Sequence, residues 1–411
     1  MRKRLLVFST DPIGPEMPGP AIRAWHLADA LATGAGADVV LASTVSVEGS
    51  HPSADLRHAH GPALSEMVEE ADACFAPSAL VYMADELREG AKPVAVDIYD
   101  PYHLENLEMG AAVPADHDLS VARQSGVLNA ALRRGDYFTC ASERQRDFWL
   151  GSLAALGRVN PYNSAGDPTL SRLVSVVPFG LPPAPPVRRA PALRGVLPGI
   201  GAGDKVILWG GGVYNWLDPA SVVRAVARLA TRAPEVRLVF MGMGHPNPSV
   251  PEMGAATEVR RLAGDLGLTG KHVFFNAGWV PYEQRADFLL DADVAVSAHL
   301  DHLETRYSFR SRVLDYIWAG LPMVLTGGDV LADEVASGGL GKAVAPGDER
   351  AIEQALAELL ASPPPKERFA LLARRYSWEE VARPLVEWGR DPRRAPDLVA
   401  GHALPDEAAA R

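Results

Sequence analysis

The chain has 411 residues with 40 Lys and Arg against 51 Asp and Glu, a net charge of -11, and 47% hydrophobic content. Such a length predicts at least two domains with ample core, and the acidic balance without a long basic run argues against nucleic acid as the main partner, though it leaves room for a local basic pocket that takes a small anion. Two cysteines, Cys74 and Cys140, exclude a disulfide framework, no Cys/His spacing of metal-binding type occurs, and no run of about 20 apolar residues is present to span a membrane.

The first apolar run, Leu5 to Phe8, is too short for the core of a signal peptide and reads as a buried strand through Ser9, which points to a cytoplasmic protein. A loop rich in Gly and Pro follows, from Asp11 to Pro20. Next comes a helix from about Ala21 to Ala32 with Ile22, Trp25, Leu27 and Leu31 as apolar positions, then a strand at Val39 to Ala42. This is a strand, glycine loop, helix and strand, in which backbone N–H groups at the helix start can meet an anion. The loop is not GxGxxG, so no dinucleotide fingerprint is read here. Further strands are expected at Ala73 to Ala76, Val94 to Ile98, Tyr137 to Ala141 and Val174 to Val177. The run from Pro178 to Pro186 is too rich in proline for a sheet and reads as a stiff linker.

The α/β rhythm restarts at Lys205 to Trp209, followed by Gly210, Gly211 and Gly212. Strands are expected at Val236 to Met241, His272 to Phe275, Val294 to Ala298 and Met323 to Thr326, with helices between them. Between the last two lies ETRYSFRSRVLDYIWAG, read as a loop and then a helix with Val313, Leu314, Ile317 and Trp318 inward; Gly320 and Pro322 stop it. Arg306, Arg310 and Arg312 crowd that helix start, where positive charge opposes the helix dipole and a bound anion would reverse the sign. The plain alternative pairs Arg312 with Asp315 and Arg306 with Glu304. The predicted division is an N-terminal domain over 1–180 joined by a returning helix at 376–390, a linker over 181–200, a C-terminal domain over 201–375, and a mobile tail over 391–411.

Six segments in this order resemble a known family. GPAIRAWHLADAL sits where that family has its glycine loop; VSVVPFGL resembles its V-x-V-I-P-N-G-V; LVFMGMG resembles L-x-I-V-G-x-G. HVFFNAGWVPYEQRADFLLDADVAVSAH, RSRVLDYIWAGLPMV and RYSWEEVA match its remaining signatures, so the resemblance covers about 1–390. The family is the retaining, nucleotide-sugar-dependent glycosyltransferases of the GT-B fold, family four, of the "glycosyl transferases group 1" type. It implies an α/β protein of two Rossmann-like domains facing a central cleft, with a C-terminal helix crossing back to the first. The expected activity moves a sugar from a UDP- or GDP-linked donor to a hydroxyl of a saccharide or natural product. No prosthetic group or metal is expected, and the departing diphosphate is expected to take the acceptor's proton. Peripheral membrane contact is compatible with the reading; nucleic acid is not a partner.

By the same resemblance the second Glu of the family's E-x7-E motif, on the donor ribose, falls on Asp315. The first falls on Tyr307, and the nearest acid is Glu304. The family's phosphate-binding Arg and Lys fall, counting from Ala225, on Gly212 and Leu217, so both cations are missing. Arg310, with Arg312 beside it, is therefore expected to hold the diphosphate, since a guanidinium fork suits phosphate. Tyr307, Ser308, Gly211, Gly212, Trp279 and Val280 complete the expected donor site; Gly19 and Arg23 belong to the first domain's glycine loop; Asp100 and His103 are the acceptor-side candidates. The missing Glu and cations keep two other readings open: a catalytically silent nucleotide-sugar-binding partner, and a sugar-nucleotide epimerase of the same fold.

Overall fold

The computed structural model describes residues 2–109, 114–276 and 278–402 and divides into two compact units. Unit 1 comprises Met1–Gly180 with Trp378–Arg411; unit 2 is Leu181–Ser377.

Unit 1 carries a seven-stranded sheet in the order β3-β2-β1-β4-β5-β6-β7. Its strands are β1 (Arg4–Ser9), β2 (Asp38–Ser43), β3 (Asp55–His58), β4 (Ala73–Pro77), β5 (Val94–Asp97), β6 (Tyr137–Cys140) and β7 (Val174–Val176). Unit 2 carries a six-stranded sheet in the order β10-β9-β8-β11-β12-β13. These strands are β8 (Lys205–Trp209), β9 (Val236–Phe240), β10 (Val273–Phe275), β11 (Val294–Ser297), β12 (Met323–Thr326) and β13 (Gly341–Val344). Every pairing between these strands is parallel. The central strands are near-continuous apolar runs because helices cover both faces.

In each sheet the chain order reverses once: between β1 and β4 in unit 1, and between β8 and β11 in unit 2. At such a reversal the two adjoining crossover helices leave to opposite faces, and the strand ends open a crevice there. The glycine loops at 11–20 and 210–212 both leave strands that border these reversals.

Three expectations are corrected. The segment 181–200 is not a free-standing linker, because two buried carboxylates of unit 2 hold it. Arg189 and Ala190 donate their N–H groups to Asp287 Oδ1 at 2.6 and 3.2 Å, and Leu193 and Arg194 donate theirs to Asp291 Oδ2 at 2.8 and 3.1 Å. The Trp318 indole also donates to Ala184 O at 2.8 Å. Burial would raise the Asp291 carboxyl, yet these N–H groups and the Arg188 guanidinium hold it below the usual range.

Residues 391–402 are not a mobile tail. Asp397, 0% exposed, receives the Arg158 guanidinium at 2.7 and 3.2 Å, and Asp136 receives Arg394 Nε and Ala395 N at 2.8 Å each. The remainder of that predicted tail, 403–411, lies outside the described residues. The returning helix is two pieces, Trp378–Val381 and Arg383–Arg390, with Pro384 in the first turn of the second. Both belong to unit 1.

Candidate active site

The site is built where β8 and β11 end side by side. Trp209 closes β8 fully buried, and the chain then turns through Gly210, Gly211 and Gly212. Two of these glycines are dictated by close approach. A Cβ on Gly210 would meet the Tyr316 ring at 2.9 Å, and one on Gly212 would meet the Tyr214 ring at 2.9 Å. Tyr316 uses its closeness: its hydroxyl accepts from Gly210 N at 2.8 Å and donates to Val296 O at 3.3 Å, which ties the two strand ends together. A second tie is the antiparallel bridge between Leu217 and His299, with Asp218 N donating to Ala298 O at 2.8 Å.

Beyond β11 the expected loop contains a short helix, Leu303–Tyr307, before the helix Ser311–Ala319. Glu304 sits in it, 1% exposed, and receives Arg310 Nη2 on Oε2 at 2.6 Å. Arg310 is thus buried in an ion pair instead of standing as an uncommitted cation at the helix start. Arg312 takes a different course. It is half-buried, lies over the Trp209 ring at 5.5 Å, and donates Nη2 to Gly212 O at 2.9 Å. Burial lowers its pKa from the ordinary arginine value.

Asp315 is paired with Arg285, whose Nε lies 3.2 Å from Oδ1, and not with Arg312. Arg285 is itself clamped between the rings of Tyr282 and Trp318, at 3.7 and 4.5 Å. Burial outweighs the Arg285 charge and leaves the Asp315 carboxyl above the usual range. Ser308 is buried and donates its hydroxyl to Thr305 O at 3.0 Å. Tyr307 and Gly211 are half-buried. Trp279 packs against Gly242 and His245, and Val280 is buried.

Among the described residues, six buried side-chain atoms without a hydrogen-bond partner lie on these loops: Asp218 Oδ2, Ser297 Oγ, His299 Nε2, Glu304 Oε1, Arg310 Nε and Arg312 Nη1; the others, such as Tyr137 OH, Trp149 Nε1 and Arg228 Nη2, are scattered over both units. His299 Nε2 lies 3.4 Å from Asp329 Oδ2. Buried polar groups in folded proteins are nearly all paired, so such a gathering points to a ligand-binding surface. No group of three or more His, Cys, Asp or Glu able to hold a metal ion occurs among the described residues, and no helix among them is long and apolar enough to cross a membrane.

The remaining candidates belong to unit 1. Arg23 was expected in a ligand-facing glycine loop; it is 1% exposed and forks onto Asp97 at 2.7 and 3.0 Å. It also donates to Pro178 O at 3.0 Å and lies over the Tyr99 ring at 4.5 Å. Gly19 opens the helix Gly19–Gly34 with no side-chain cap. Asp100 is exposed. His103 is half-buried among Tyr102, Phe148 and Trp149, and burial pushes its pKa down to about 4. No local pattern in the sequence marks Arg285, because it lies 30 residues from the carboxylate it fixes.

Residues 204–362 match the family model described as Glycosyl transferases group 1. No curated protein matches the chain. Among solved structures, sucrose-phosphate synthase from Thermosynechococcus elongatus is similar with a TM-score of 0.65 at 18% identity, covering 97% of this chain and 100% of that one. HepE of Anabaena in complex with UDP-glucose gives 0.63 at 12% identity over 94% and 99%. A trehalose-6-phosphate protein from E. coli bound with UDP-2-fluoro glucose gives 0.62 at 14% identity over 95% and 100%. At these identities the likeness to solved structures is one of fold. The match to the glycosyltransferase group 1 model is confined to residues 204–362, within unit 2, while the likeness over both units shows the two-domain GT-B fold.

Proposed function

We propose that the enzyme transfers a sugar from a UDP- or GDP-linked donor to a hydroxyl of a saccharide or natural-product acceptor, with retention at the anomeric carbon. The observation that carries this reading is the set of unpartnered buried polar atoms on the loops at the β8/β11 reversal. Each such atom costs about 1–3 kcal/mol when left unpaired, and a diphosphate joined to a sugar ring offers oxygens to several of them at once. The structures of HepE and of the E. coli protein hold UDP-glucose and UDP-2-fluoro glucose, which favours uridine.

In this reading Arg312 neutralises the diphosphate. What supports it over Arg310 is pairing: Arg310 is committed to Glu304, whereas Arg312 spends one N–H on a backbone carbonyl and leaves Nη1 without a partner. Glu304 Oε1 accepts from sugar hydroxyls, with Arg310 holding the carboxylate in place. Asp315 accepts from the ribose through the oxygen that Arg285 does not occupy. The ion pair makes Glu304 an orienting group instead of a nucleophile, so the departing diphosphate takes the acceptor's proton. His103, pushed down to about 4 by burial, is a weak base at neutral pH and serves better as part of an acceptor-side wall.

The test is a melting-temperature panel of UDP, GDP and ADP on the full chain, followed by donor consumption with and without added acceptors. A ligand at 100 times its Kd stabilises by about 2.7 kcal/mol. No shift with any nucleoside diphosphate sinks the donor reading. A shift without consumption supports the silent-partner alternative, which the mutual neutralisation of Glu304 and Arg310 favours.

A further inference from the structure

His299 follows β11, and its backbone is fixed from two sides. Its N–H donates to Thr326 Oγ1 at 2.9 Å, at the end of β12, and it bridges Leu217 on the loop after β8. A side chain carried on sheet ends stands on a more rigid base than one carried on a loop. The imidazole, 1% exposed, spans the gap between two further segments.

On one side Nε2 lies 3.4 Å from Asp329 Oδ2. Asp329 is 2% exposed, and its other oxygen accepts from Ala332 N at 2.8 Å, capping the helix Val330–Ser337. The helix that this carboxylate starts therefore holds it in place. On the other side Nδ1 lies 3.3 Å from Leu300 O and 3.5 Å from Thr305 Oγ1. Thr305, 1% exposed, belongs to the short helix Leu303–Tyr307 and donates its hydroxyl to Leu300 O at 3.0 Å. Gly328 permits the close approach of the two segments. Its φ is +124°, and an added Cβ would meet Thr305 Cγ2 at 3.2 Å and the imidazole Cε1 at 3.9 Å.

The helix Leu303–Tyr307 also carries Glu304. Five residues are too few to hold as a helix alone, and its N-cap residue, His302, supplies no side-chain cap. The helix therefore takes its position from what it is fastened to. His302 Nε2 lies 3.0 Å from Trp216 O, and Arg310 Nη2 reaches Glu304 Oε2 at 2.6 Å. Thr305, next to Glu304 in the chain, meets the ends of β11 and β12 through His299.

We propose that His299, seated on Asp329, is a positioning residue for the donor sugar: it sets the helix Leu303–Tyr307 and through it the Glu304 carboxylate, whose Oε1 is unpartnered. The inference rests on the donor reading above, which gives Glu304 the sugar hydroxyls. It assigns sugar recognition to a chain of contacts running Asp329, His299, Thr305, Glu304. Arg312 stands outside that chain, on the Gly212 carbonyl. The sugar and the diphosphate are thus held by separate supports.

The experiment compares a nucleoside diphosphate with its sugar conjugate, UDP with UDP-glucose and GDP with GDP-mannose, by calorimetric titration of the full-length protein. Asp329→Asn keeps an oxygen for Ala332 N but removes the carboxylate. His299→Asn carries an amide that reaches only as far as Nδ1, and His299→Gln one that reaches as far as Nε2. Glu304→Gln is the reference for a lost sugar contact. In whichever pair binds, Asp329→Asn and His299→Asn should weaken the sugar conjugate at least tenfold more than the bare diphosphate, since misplacing an orienting group by about 1 Å costs on the order of 10²-fold. Glu304→Gln should do the same, and His299→Gln should recover most of the loss. Equal weakening of both ligands, or loss of the fold in Asp329→Asn and both His299 variants, makes His299 a structural residue and overturns the proposal. An effect confined to Glu304→Gln overturns it as well and leaves the donor reading intact. Diphosphate binding with no sugar effect in any variant overturns it and removes Glu304 from the sugar. Absence of binding by either diphosphate to wild type sinks the donor reading itself, and the proposal with it.

Discussion

Each of the two units carries an arginine near the reversal of its strand order, Arg23 buried and Arg312 half-buried, and the two are treated differently. Arg23 in unit 1 donates to both Asp97 oxygens and to Pro178 O, and its plane is covered by Tyr99. Arg312 in unit 2 has one backbone partner and a buried Nη1 with none. Neighbours of the first are satisfied too: Asp97 also accepts from Thr139 Oγ1 at 2.8 Å. Those of the second, Glu304 and Arg310 among them, keep unpartnered atoms. A polar network that closes on itself rigidifies a fold, whereas one left open at several atoms is built for something that arrives.

Breaking each arginine sharpens that contrast. Arg23→Ala should have the largest effect on stability, about 3–5 kcal/mol, because it strands a carboxylate of a buried pair. Urea unfolding would show it, and donor affinity of the surviving folded protein should be nearly normal; a mild loss of stability would mean that Asp97 is well solvated. Arg312→Ala should do the reverse. Losing one electrostatic stabiliser of the leaving charge lowers kcat by on the order of 10²–10³, with little change in unfolding free energy. Near-normal turnover in that variant would return the diphosphate to Arg310.

Asp315→Asn is expected to raise the donor KM by about one to two decades, as a hydrogen bond to a charged group contributes roughly 1.5–3 kcal/mol. Arg285→Met should reproduce part of that rise with kcat unchanged, since it frees the carboxylate without removing it. Unaltered donor kinetics in both would take Asp315 out of the site.

The smallest effect concerns pH. His103 has its pKa pushed down to about 4 by burial, below the ordinary imidazole value of 6.5. Between those two values the unfolded chain binds a proton that the folded chain refuses, so stability falls as pH drops through that window. The melting temperature of wild type should decline from pH 6.5 toward 4, and His103→Gln should flatten the slope. An identical slope in the variant would place the loss on other groups.

Much of this was legible in the sequence. The inner strands announce themselves as apolar runs, and Gly210–Gly212 after one of them marks the turn over which the site is built. Edge strands β3 and β13, DLRH and GKAV, carried no such run because their residues are mostly half-buried or exposed. Charge pairing was less accessible. The crowd of arginines at 306–312 was visible, but only three dimensions decide that Arg310 closes on Glu304 while Asp315 reaches back to Arg285. The polar segment after Asp391 looked mobile because composition reports hydrophobicity, and its anchoring depends on two buried carboxylates and one buried guanidinium.

That anchoring has a bearing on biosynthesis. Arg158 and Asp397 are 239 positions apart, and the whole of unit 2 is threaded between them. During translation the inner unit has its full sequence available while the outer one still lacks residues 378–402. Chains begin to fold from the N-terminal end as they are made, so here the unit that starts first is the one that finishes last. Until Asp397 leaves the ribosome, Arg158 keeps only the carbonyls of Leu132, Arg133 and Gly135 as company in a fully buried position. Completion of the outer unit therefore waits on synthesis of the inner one.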